Sequence, residues 1–181
     1  MERALLRLML DPQSYADPSR LASAAPGVPG PSACAALNRW LLCHYRVPPR
    51  APGPLAPSEQ VLVHAWPHLR RAAYLLGAWQ LRATVLREIG YLRCDPGVRR
   101  FIALPLPLNP LAPPRAPLDD SLLLYHGLRV LQPWLDDAGA AWHARVALLF
   151  PAAAAQALAL PGGAPLNLSC IQLALHYAKN S

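Results

Sequence analysis

Apolar residues recur every three to four positions along most of the chain, which is the period of an amphipathic helix. The longest such segment is 58–89, and its apolar stripe consists of Leu62, Trp66, Leu69, Ala73 and Leu76. Pro67 interrupts this segment and predicts a kink or a restart, because proline lacks the backbone donor that a helix interior needs. Strict alternation of apolar and polar residues is scarce, so the sequence predicts an all-α fold.

Shorter helical patterns fill most of the remaining chain. They occupy residues 32–45, 95–104, 119–133, 137–149, 153–160 and 167–178. Asp95 before Pro96 is a helix-start signal, and Asp119 or Asp120 and Asn167 are further predicted caps. The pattern therefore predicts a compact, bundle-like fold of about seven or eight short helices. Residues 1–181 are expected to form one domain, since this length supports one core of ordinary size.

Proline separates these helices. Of 22 prolines, fourteen fall within 26–31, 48–57 and 105–117. Proline forces the preceding residue out of helical geometry, so these stretches predict extended connectors. The rest of the composition is unusually apolar, with 15% charged residues against about 25% in ordinary domains. A chain with so much apolar surface to bury is not intrinsically disordered.

The net charge of the chain excludes fewer functions than its magnitude suggests. The formal net charge is +7, and sixteen of the seventeen basic residues are arginine. This excess permits an acidic protein, a nucleic acid or an anionic membrane as partner without choosing among them. The densest basic groups are Arg70-Arg71 and Arg99-Arg100. These four residues are the predicted partner-binding candidates, through contacts that added salt should weaken.

Several features predict a soluble cytosolic protein. The four cysteines have neither a metal-binding nor a disulfide-framework spacing, so reduced thiols are expected. Residues 1–10 are too short and too interrupted by Arg7 for a signal peptide. The uncharged run 146–178 is divided by prolines and glycines into pieces shorter than the roughly 20 residues of a membrane span.

No group of residues forms a recognisable catalytic pattern. His64 and His68 have the four-residue spacing of some zinc sites, but Pro67 lies between them and no third ligand is evident. The carboxylate pairs 119–120 and 136–137 fall at predicted helix ends, where aspartate favours capping over acid–base chemistry. Nucleophile-elbow and phosphate-loop motifs are not found. The sequence thus predicts no catalytic, cofactor or metal site, and no enzyme.

Five segments together carry a resemblance to a known family. They are 8–21 (LMLDPQSYADPSRL), 75–82 (LLGAWQLR), 127–129 (GLR), 141–145 (AWHAR) and 148–151 (LLFP). In order and spacing this resembles the SctK (YscK) family of type III secretion. The match lapses in the proline-rich stretches 48–57 and 105–117.

The resemblance implies a bacterial, cytoplasmic, non-catalytic adaptor of the secretion sorting platform. Such a protein would link the pod protein SctQ to the cytoplasmic domain of the inner-membrane ring protein SctD. It would be peripheral to the inner membrane through protein contacts only. The alternative that the charge leaves open is a small basic helical nucleic-acid-binding protein, although no helix concentrates arginine on one face.

Overall fold

Helical spacing of leucine, alanine and tryptophan produces eleven α-helices in the part of the chain that the computed structural model describes. That part comprises residues 2–22, 31–50, 53–114, 117–161 and 167–180. The helices are α1 (Glu2–Leu10), α2 (Pro18–Leu21), α3 (Pro31–His44), α4 (Pro57–Ala65), α5 (Leu69–Gln80), α6 (Arg82–Glu88), α7 (Pro96–Ile102), α8 (Asp120–Ala138), α9 (Ala140–Leu148), α10 (Ala152–Ala155) and α11 (Leu168–Lys179). Short 3-10 turns occupy Pro12–Ser14, Trp66–His68, Tyr91–Arg93 and Gln156–Ala159. The all-α prediction is confirmed.

The helices are more numerous than seven or eight because the long segment 58–89 is divided. Pro67 lies in a 3-10 turn between α4 and α5, as the sequence predicts, and Leu81 separates α5 from α6. The other two additional helices are α1 and the four-residue α2, which lie in a part of the chain where the apolar pattern predicts no helix.

One predicted helix end is wrong. Pro133 was expected to end the helix that starts at Asp119, yet α8 continues through it to Ala138. Trp134 and Leu135, which follow the proline, are both buried in the core. Burial of these side chains offsets the hydrogen bond that proline cannot donate. Gly139, with a φ of 92°, ends the helix instead.

The core is built around the crossing of α5 and α8, which is the most extensive contact between helices among the described residues. At this crossing the two backbones touch, because Gly77 on α5 and Gly127 on α8 have no Cβ. A Cβ built on Gly127 would lie 1.7 Å from the carbonyl oxygen of Ala73. Helices α7 and α11 pack against α5, while α10 and the turn Gln156–Ala159 pack against α8. Their buried side chains join one continuous hydrophobic cluster.

Two proline-rich connectors, 48–57 and 105–117, are held to this core by hydrogen bonds within them or where they begin. Arg145 donates to Pro48 at 2.9 Å, and the Trp79 indole donates to Leu104 at 2.8 Å. The backbone N–H of Leu111 donates to Gln80 at 2.9 Å. The third predicted connector, 26–31, lies outside the described residues except for Pro31, which begins α3.

Candidate interaction surface

The first predicted candidate, Arg70, is held by the opening segment of the chain. Its Nη1 donates to Asp17 at 2.5 Å, and this carboxylate is 5% exposed. Asp17 also caps α2 by accepting from the Ser19 backbone at 3.0 Å. Burial alone would raise the pKa of Asp17, but the bonds from Ser19 and Arg70 outweigh it and lower the pKa. Arg70 therefore has a structural task at its half-exposed position.

Arg71 has a comparable task on the neighbouring face of α5. Its guanidinium forms an ion pair with Asp95, which caps α7 by accepting from the Val98 backbone at 3.1 Å. These two contacts hold the pKa of Asp95 below its ordinary value against the opposing effect of burial. The Arg71–Asp95 pair thus fixes the start of α7 on α5, and the predicted cap at Asp95 is confirmed.

The second arginine pair lies on α7. Arg99 is half-buried and Arg100 is exposed. Arg100 lines a groove of about 460 Å³ between the first turn of α7 and the last turn of α11. The other lining residues are Asp95, Pro96, Gly97, His176, Tyr177 and Asn180. Arg71, Arg99 and Arg100 therefore belong to one region of the molecule, joined through Asp95 and α7.

The wall that α11 contributes to the groove is well ordered by local contacts. The Tyr177 ring packs edge-on against Phe101 of α7, with centroids 5.4 Å apart, and Phe101 is fully buried. The Asn180 amide donates to the backbone carbonyl of His176 at 2.9 Å. The groove therefore has an aromatic side, formed by Tyr177, and a polar end, formed by Asn180, in addition to Arg100.

The α11 wall of the groove was not predicted from the sequence. His176, Tyr177 and Asn180 lie about 80 residues from Arg100 in the chain, and only the packing of α11 against α7 brings them together. The available signal was Lys179, the one formal charge after Arg145. It marks the end of α11 as basic.

The other candidate residues have ordinary structural environments. His64 is exposed, with its Nδ1 2.7 Å from the carbonyl oxygen of Gln60. Within the described ranges, no group of three or more His, Cys, Asp or Glu residues could hold a metal ion. Asp119 caps α8, accepting from Leu122 at 2.7 Å. Asp136 instead lies in the last turn of α8, 3.4 Å from His143, so capping was the wrong interpretation there.

Comparison with known proteins decides the family. Residues 5–180 match the family model described as "Bacterial type III secretion apparatus protein (OrgA_MxiK)". The chain belongs to this secretion-apparatus family. The resemblance seen in the sequence is confirmed, and the match extends across the proline-rich connectors as well.

Curated relatives agree with the OrgA_MxiK assignment. The chain is similar to "Oxygen-regulated invasion protein OrgA" of Salmonella typhimurium, with 31% identity over 176 residues. The match covers 96% of this chain and 85% of that protein, and the values are the same for three strains. No solved structure matches the chain. None of the described helices is long and apolar enough to cross a membrane.

In this OrgA_MxiK chain the segments that carried the resemblance are packing elements. Tyr15 donates to the carbonyl of Leu8 at 3.1 Å and packs edge-on against Trp66. Arg20 donates to the carbonyls of Ala147 and Phe150, both at 3.1 Å. The opening segment is thereby bonded to the end of α9. The residues that carry the family resemblance therefore also build the fold.

Proposed function

We propose that this chain is a non-catalytic cytoplasmic adaptor of the type III secretion sorting platform. It links the pod protein SctQ to the cytoplasmic domain of the inner-membrane ring protein SctD. The observation that carries the proposal is membership, over residues 5–180, in a family of secretion-apparatus proteins. Contact with the inner membrane is then indirect and made through these protein partners.

Such an adaptor acts by equilibrium binding, so its requirement is a body that keeps two surfaces in a fixed relation. The close backbone contact of α5 and α8 at Gly77 and Gly127 supports such rigidity. One of the two surfaces is the basic region of α5 and α7 that contains Arg70, Arg71, Arg99 and Arg100. Since Arg70 and Arg71 also stabilise the fold through Asp17 and Asp95, the exposed Arg100 of α7 is the better reporter of partner binding.

Co-purification tests the adaptor. The full chain, expressed with SctQ and with the SctD cytoplasmic domain, is expected to form a complex with each at micromolar concentration. If the chain forms no complex with SctQ and none with the SctD cytoplasmic domain, the proposal is refuted. An excess of salt should weaken the contact that uses the arginines, because solvent-exposed charges are screened.

The nucleic-acid alternative is tested in parallel by a mobility shift with generic DNA and RNA at physiological salt. The adaptor proposal expects weak binding there, since nonspecific phosphate contacts lose affinity steeply as salt rises. Tight binding to nucleic acid together with no protein complex would favour the alternative.

A further inference from the structure

The groove between α7 and α11 carries more positive charge than the residues around it neutralise. Arg100 lines the groove, and Arg93 and Lys179 are exposed on the adjoining turn and helix end. Asp95, the one carboxylate among the described residues that line the groove, is already paired with Arg71. Among the described residues, Arg93, Arg100 and Lys179 form no ion pair within the chain.

The scarcity of free carboxylates on the rest of the molecule strengthens this imbalance. The chain has ten acidic residues, and most of those described bond to a cation, a backbone N–H or both. After Asp137 the chain has no acidic residue at all, so α11 contributes only Lys179 and neutral groups. A partner that neutralises this end must therefore supply the negative charge itself.

We infer that this groove, lined by Arg100, His176, Tyr177 and Asn180, is the docking site for an acidic segment of a protein partner. Carboxylates of the segment pair with Arg100, and the positive charges of Arg93, on the turn before α7, and Lys179, at the end of α11, add longer-range attraction. An apolar part of the same segment packs against the Tyr177 ring, which Phe101 holds in place. The inference rests on the proposed adaptor function and adds to it the surface and the chemistry of one partner.

The form of the groove favours a protein segment over a nucleic acid. A phosphodiester backbone is bound by a basic track that follows many phosphates, commonly with several aromatic platforms. Here the described lining of a groove of about 460 Å³ contains one arginine, Arg100, and one tyrosine, Tyr177, rather than a track of basic residues. That volume accommodates a few side chains.

A model acidic peptide tests the groove directly. Fluorescein-labelled decaglutamate is titrated with the full chain, and anisotropy is read at low and physiological salt. Arg100→Glu is expected to weaken binding about tenfold, because an attractive contact becomes a repulsive one. Arg100→Lys, which keeps the charge, should retain most of the affinity.

The matched control is Arg39→Glu, which makes the same charge change at an exposed position of α3. Helix α3 packs on the turn Pro12–Ser14, and this variant should bind the peptide within about twofold of wild type. Equal losses for the two variants would overturn the groove as a specific site. Tighter, Arg100-dependent binding of a generic DNA duplex would also overturn it, in favour of a nucleic-acid surface.

The same variants are then compared in complexes with the two proposed partners. If the wild-type chain binds neither partner, the adaptor function fails, whatever the peptide result. If it binds both and Arg100→Glu changes neither affinity, the groove inference fails and the adaptor stands. The inference expects one partner to be lost and the other kept. A photo-crosslinking residue at Asn180 should then label a segment of negative net charge, and a neutral or basic segment would refute the assignment.

Discussion

Replacing Gly127 by alanine tests the feature on which the whole fold depends, the backbone contact of α5 and α8. In a helix interior, alanine is favoured over glycine by roughly 1 kcal/mol. Helix propensity alone therefore predicts that Gly127→Ala stabilises the protein. Packing predicts the opposite, so the sign of the change in the free energy of unfolding separates the two effects.

The magnitude follows from the distances. The new Cβ would lie 1.7 Å from the Ala73 carbonyl oxygen and 2.5 Å from its carbonyl carbon, whereas real Cβ contacts are essentially never shorter than 3.0 Å. The obstacle is backbone and cannot rotate away, so the two helices must move apart by more than 1 Å. Overpacking of this kind costs about 1–3 kcal/mol and sometimes more. A contact this short puts the cost at the upper end, about 3 kcal/mol, so a net loss of about 2 kcal/mol remains after the propensity gain of about 1 kcal/mol.

Guanidinium unfolding followed by tryptophan fluorescence and circular dichroism measures this loss. In thermal unfolding, a loss of about 2 kcal/mol should lower the midpoint temperature of a chain of this length by about 4–8 °C. Gly77→Ala should behave alike, because its Cβ would lie 1.8 Å from the Leu123 carbonyl oxygen. Ala83→Gly, at an exposed position in the first turn of α6, serves as control and should cost no more than about 1 kcal/mol, through propensity alone. If either glycine variant equals or exceeds wild type in stability, the close contact is refuted.

Three smaller predictions concern individual polar contacts. The Arg50 guanidinium lowers the pKa of Glu59 to about 2 from 4.5. The ionised Glu59 carboxylate therefore stabilises the folded protein fully above pH 4.5, and this stabilisation is lost as the pH falls toward 2. Glu59→Gln should be less stable than wild type at pH 7, and the difference in the free energy of unfolding should vanish near pH 2 in acid unfolding curves. Arg129→Met should cost about 2 kcal/mol in guanidinium unfolding, since Arg129 donates to the carbonyls of Leu160 and Pro161; an unchanged midpoint would contradict this. Asp119→Ala should cost about 1 kcal/mol as a lost cap, whereas Asp137→Ala, in the last turn of the same helix, should be neutral or slightly stabilising; equal effects would refute the capping role.

Local patterns in the sequence were sufficient to predict the helices after residue 31 and most of their ends, but not α1 and α2. Pro67 and the caps at Asp95 and Asn167 act on residues within one turn, so their effects are visible in the sequence itself. Pro133 was misjudged because its cost is local while the compensating burial of the residues around it is tertiary.

The candidate surface was harder to predict for the same reason. Arg70 and Arg71 stand out in the sequence as a free basic pair, yet their acidic partners lie 53 and 24 residues away. No rule of sequence spacing predicts an ion pair between residues so far apart in the chain. Conversely, α11 shows no charge before Lys179, so its part in the groove emerges only from its packing on α7 and α5.

The arginine excess, which in the sequence resembles a compositional bias, acquires a physical role through the proline-rich connectors. Each proline adds a carbonyl acceptor without an N–H donor, so connectors near the core have acceptors that other groups must satisfy. Arg50 donates to Gly53 and Pro54, and Arg145, 3% exposed, donates to Pro48. A planar guanidinium with five donors suits this task better than an ammonium. Arginines bound in this way are occupied by the fold, and the net charge therefore overstates what is available to partners. Fewer arginines are therefore available to bind a partner, and Arg100, which lines the groove, is one of them.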